Sequence, residues 1–124
     1  SFAQRKKNIS EKELMSNSKK AIEYLKKELK LKGSKFTSVN KAFTAYAENM
    51  VSLNEKMAKK DESAKGNSEA LVSNKKAKFK MMNDFLKKRD GDATKGFSKK
   101  EIERYRKSAR SIHPFTLRVK PVKK

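Results

Sequence analysis

An all-α fold, a small four-helix bundle-like domain with an extended basic C-terminal arm, is predicted by three features of this 124-residue chain. Apolar residues recur every three or four positions in four separate segments, the spacing that lines up one face of a helix. Two of those segments open with a Ser-x-x-Glu start signal. Strand-like alternation of apolar and polar residues occurs only once, near the C-terminus. The length suits one domain, with the helices in residues 1–112 and the arm in 113–124.

The first helix, over about 11–32, starts where Ser10 caps and Glu13 reaches back. Leu14, Ser18, Ile22, Leu25 and Leu29 then follow at helical spacing, and Gly33 is the expected stop. The second helix, about 38–60, has the most regular pattern. Val39, Phe43, Tyr46, Met50, Leu53 and Met57 alternate spacings of four and three, with Ala42, Ala47 and Val51 alongside. This seam is the expected spine of the core, packed against Leu25, Leu29, Phe79 and Ile102.

A polar stretch, 61–67, separates the second helix from a third at about 68–89, whose apolar set is Val72, Phe79, Met82, Phe85 and Leu86. The fourth helix, about 99–111, has the clearest start. Ser98 and Glu101 complete a capping box, and Phe97 and Ile102 stand where a hydrophobic staple requires them. Its buried stripe is expected to be Ile102, Tyr105, Ala109 and Ile112. Pro114 stops this helix and biases His113 towards an extended conformation. Phe115, Leu117 and Val119 then alternate with Thr116, Arg118 and Lys120, the pattern of a short arm or a lone edge strand without a partner in the chain.

Charge is the strongest functional signal. The net charge is +20, and residues 73–124 hold 18 basic against 5 acidic side chains, whereas 41–72 balance at 5 of each. Like charge at this density opposes compaction, so a polyanionic partner explains it more simply than stability does. The expected contacts with DNA or RNA phosphates are Lys75, Lys76, Lys80, Lys87, Lys88 and Arg89 on the third helix. On the fourth they are Lys99, Lys100, Arg104, Arg106, Lys107 and Arg110, with Arg118 and Lys120 on the arm. Lys outnumbers Arg by 28 to 6, and Arg is the usual reader of base edges, so backbone neutralisation is expected to outweigh base reading. Phe115 and Tyr105 are candidates for base stacking, although both also fit the buried stripe or the arm.

Several other chemistries are excluded or weighed against. The absence of Cys removes disulfides, Cys-ligated zinc and thiol catalysis. There is one His, His113, and only with Arg110, Ser111 and Arg118 does it form anything like a nuclease constellation. A lone His before Pro at a helix end is more often structural, so the catalytic expectation is none. No Gly-rich phosphate loop is present, and no cofactor is expected. No apolar run is long enough for a transmembrane segment. A first residue of Ser with no signal-type apolar region is expected to reflect a processed or trimmed terminus.

Asp90, Asp92, Thr94, Phe97, Ser98 and Glu101 stand at positions one, three, five, eight, nine and twelve of a segment that resembles an EF-hand loop. The resemblance would make Asp90, Asp92, Thr94 and Glu101 calcium ligands, but Lys95 holds the sixth position, where the family has Gly. The same residues serve equally as a turn and a helix cap, and the metal expectation is none.

The expected function is non-enzymatic binding of nucleic acid, as a component of a nucleoprotein particle such as a ribosome or as a DNA-compacting, virion-internal protein. Other proteins of such an assembly are possible partners, and the expected location is intracellular or inside a virion. The alternatives are a small basic toxin or effector acting on nucleic acid, and a helical adaptor between proteins.

Overall fold

The computed structural model describes residues 9–121; the chain start and the last three residues of the predicted arm lie outside the described residues. Four helices are present: α1 (Glu11–Leu29), α2 (Gly33–Ser63), α3 (Ser68–Ala93) and α4 (Lys99–Ala109). The all-α, bundle-like architecture predicted from the sequence is the one observed.

α1 begins as its sequence dictates, with the Ser10 hydroxyl accepting from the Glu13 N–H at 3.1 Å. Its end differs from expectation. Lys30 takes the left-handed conformation at φ 52°, and the N–H of Leu31 bonds the Lys26 carbonyl at 3.0 Å. That Schellman-type closure turns Leu31 into the core, where it is buried. Gly33, with φ 56°, therefore starts α2 instead of ending α1.

α2 is the spine. Val39, Phe43, Tyr46, Met50, Leu53 and Met57 are all buried. It packs most extensively on α3 and then on α1, while α4 packs on α1. Ser18 of α1 donates to the Phe43 carbonyl of α2 at 3.4 Å, so the one polar residue in the α1 stripe is satisfied.

Length decides what stays uncovered. With 31 residues α2 spans about 46 Å and with 26 residues α3 about 39 Å, whereas α1 has 19 residues and α4 has 11. The shorter helices cannot cover the distal part of the α2–α3 hairpin. From residue 58 to residue 75 only Ala64 is buried. Val72 and Phe79, expected in the core, are consequently exposed, and Met82 is the apolar residue of that set that is buried.

α3 also runs further than predicted, through Asp90, Gly91 and Asp92 to Ala93. The Asp-Gly-Asp run reads locally as a turn, but Ala93 is fully buried and Thr94 donates to the Asp90 carbonyl at 2.7 Å. The chain reverses instead at Gly96, with φ 81°. α4 then opens with both halves of its capping box formed.

After α4 the chain is non-helical and folds back on itself. His113 donates its backbone N–H to the Arg118 carbonyl, Lys120 donates to Ser111, and Ile112 bridges Val119 in antiparallel fashion. No strand forms among the described residues; the segment expected as a lone strand turns back and makes this single bridge to Ile112, just beyond the end of α4. Leu117, at φ 62° and fully buried, closes this hook. Tyr46 holds it to α2 by donating to the Pro114 carbonyl at 2.5 Å, and Asn17 holds it to α1 through the Thr116 carbonyl at 3.0 Å.

Truncation should separate spine from overhang. Leu53→Ala is expected to cost roughly 2–5 kcal/mol, the range for a buried leucine. Phe79→Ala, at a half-exposed site, should cost well under half as much. Urea denaturation of both variants checks the contrast, and equal losses would contradict the uncovered hairpin.

Candidate nucleic-acid interface

Thirteen of the fourteen predicted phosphate contacts are exposed. On α3, Lys76, Lys80 and Lys87 recur at spacings of four and seven and share its outer face. Lys75 turns instead towards a groove between α2 and α3. Lys88 is exposed but paired with Asp92 at 2.9 Å. On α4, Lys100, Arg104 and Lys107 form one stripe and Lys99, Arg106 and Arg110 another, both away from the buried Tyr105. Arg118 and Lys120 project from the hook.

Arg89 is the exception: it is buried, so it is not the phosphate contact its sequence position suggests. Its side chain is 4% exposed. The guanidinium lies over the rings of Phe43 at 4.4 Å and Tyr46 at 5.2 Å, both on α2. Asp90 Oδ1 accepts from Arg89 Nε at 3.0 Å and from the Tyr105 hydroxyl at 2.6 Å, and Arg89 Nη2 lies 2.9 Å from it as an ion pair. Among the described residues Nη1 has no hydrogen-bond partner. Burial pushes the Tyr46 phenol up to about 12 and raises Tyr105 as well, so both hydroxyls stay protonated donors. Tyr105, 1% exposed, is thereby removed from the candidates for base stacking.

The two basic helices do not form one continuous pair. α3 and α4 make no close helix–helix approach, and the link between them runs through Asp90 and Tyr105. The cationic surface is therefore divided among the outer face of α3, the outer face of α4 and the hook.

The EF-hand-like residues are spent on structure. Asp90 belongs to the Arg89 cluster, Asp92 pairs with Lys88, and Thr94 caps α3. The Lys88 hydrogen bond lowers the Asp92 pKa. Glu101 accepts from the Ser98 N–H at 2.8 Å and from Lys35 Nζ at 2.6 Å. Among the described residues no group of three His, Cys, Asp or Glu side chains is placed to hold a metal ion.

His113 is likewise engaged. Its Nδ1 accepts the backbone N–H groups of Phe115 at 3.1 Å and Thr116 at 3.2 Å, which stabilises the turn after Pro114. What the sequence pattern missed is the exposed Phe79 beside Lys75 and Lys76. An aromatic crowded by lysines was the available signal, but its apolar spacing placed it in the core.

Among the described residues no helix is long and apolar enough to cross a membrane. No protein-family model matches the chain, and no curated protein or solved structure matches it either. The chemistry of the surface itself must therefore carry the functional reading.

Two outcomes test this description. The Glu101 carboxyl is held down at about 2, from 4.5, chiefly by the Lys35 hydrogen bond and then by the Ser98 N–H. A depressed acid stabilises the fold above its unfolded pKa, and that contribution should fade as pH falls from 4.5 towards about 2. Glu101→Gln should flatten the melting temperature over that window. Separately, Arg89→Gln should lower stability by roughly 2 kcal/mol, the scale of a desolvated cation–π contact, while leaving the salt dependence of any nucleic-acid binding unchanged.

Proposed function

We propose that this protein binds nucleic acid through its phosphates, without catalysing a reaction on it, as a component of a nucleoprotein particle or of packaged DNA. One observation carries the reading. Twelve of the fourteen predicted contacts are exposed cations with no ion pair among the described residues, Arg89 being buried and Lys88 paired with Asp92. A surface that retains so many uncompensated charges gains by placing them against a polyanion, where each neutralised phosphate releases condensed counterions.

The arrangement favours backbone contact over base reading. Most of these cations are lysines, mobile point charges without the planar fork that reads guanine edges. Three separate basic surfaces suit a partner that wraps or surrounds the domain, as RNA does in a large particle or DNA does when compacted.

Affinity should fall steeply with salt and vary little with sequence. With about five phosphates engaged on duplex DNA, log affinity against log salt should slope near −4 to −5. Replacing Lys76, Lys80 and Lys87, or separately Lys100, Arg104 and Lys107, with Gln should each flatten the slope. Reversing Lys41, Lys56 and Lys59 on α2 should change it much less. Fluorescence anisotropy across a salt series decides this; a slope indifferent to both outer-face sets would remove the proposal.

A further inference from the structure

Leu71, Val72 and Phe79 are the large apolar side chains left exposed among the described residues, and all three lie on α3. Phe79, 54% exposed, opens with Leu71 onto a groove of about 740 Å³ bounded by α2, α3 and the hook. The floor is apolar, formed by Met50, Met57 and Met82. Phe115 stands edge-on to Phe79 at 6.3 Å and to His113 at 5.8 Å. The Phe115 contact packs one side of the Phe79 ring and leaves it half exposed.

The polar lining narrows the choice of occupant. Asn54, Asn74 and Thr116 bring amide and hydroxyl groups to the groove. Asp61, its one carboxylate, accepts from Asn74 at 3.2 Å. Lys75 and Lys76 lie four and three residues before Phe79, hence beside it on the helix surface. Both are exposed, and the whole chain is strongly cationic. A flat apolar ring, amide-bearing side chains on the lining and flanking cations together match a nucleobase with its phosphates more fully than the apolar face of a peptide helix.

We propose that this groove takes an unpaired base of single-stranded nucleic acid, stacked on Phe79, with the neighbouring phosphates on Lys75 and Lys76. The site rests on the phosphate-binding reading above and adds a preference within it. Duplexes keep their bases stacked inside, so single-stranded segments gain a contact that duplexes lack.

The test compares a labelled single-stranded oligonucleotide with an abasic one of identical length and charge, by anisotropy at fixed salt on the full chain. The wild type should bind the abasic strand about 5- to 150-fold more weakly, the range expected for loss of one stacked base. Phe79→Ala should lose the same factor on the normal strand and cease to distinguish the two. Phe79→Trp should retain discrimination, and in a chain with no other Trp its fluorescence should be quenched by the normal strand only. Equal binding of both strands by the wild type, with a steep salt slope, would overturn the base site and leave phosphate binding intact. Unchanged affinity in Phe79→Ala would overturn it too. No binding of either strand or of duplex at low salt would remove both readings.

Discussion

The Arg89 guanidinium holds the fold together at the point where helix packing alone does not. α3 and α4 never approach as neighbouring helices and are joined by a five-residue connection. Arg89 solves this by lying on the Phe43 and Tyr46 rings of α2 while it orients Asp90, which in turn accepts from Tyr105 of α4. Three helices therefore meet through one charge and one carboxylate. A buried cation is costly unless paired, and here the pairing also makes its position specific. Tyr46 extends the same set of contacts to the hook through the Pro114 carbonyl.

This arrangement explains how a chain with so little apolar content still folds. The core is a single seam along α2, closed on one side by α1 and on the other by the inner part of α3. Polar contacts add positional definition at the places where apolar side chains run out: Ser18 under α1, Asn17 under the hook, Lys35 and Glu101 between the starts of α2 and α4. Of the five acids in residues 73–124, Asp90 serves the Arg89 cluster, Glu101 completes the cap of α4 and Asp92 pairs with Lys88, which leaves two against the outer cations.

The distal hairpin follows from unequal helix lengths. α2 and α3 continue past the shelter of α1 and α4, which leaves a groove whose floor is methionine and whose edge is Phe79. Methionine tolerates partial exposure and irregular packing better than branched side chains do, so such a groove costs the fold little. It also places an aromatic ring within reach of the lysines on the same helix.

Local signals in the sequence determined the number and order of helices, the caps at Ser10 and Ser98, and the α2 seam. Each depends on side chains within four residues of one another, so periodicity and capping chemistry suffice to read them. The cationic character of α3, α4 and the C-terminal segment was legible for the same reason. Tertiary structure alone decided that Arg89 is buried, because the Phe43 and Tyr46 rings it lies on are distant in sequence. It decided likewise that Asp90-Gly91-Asp92 stays helical, that His113 and Ile112 find partners in a hook, and that Phe79 faces solvent. Apolar spacing marks which face of a helix would be buried, but only the lengths and placement of the other helices determine how far along that face the cover extends.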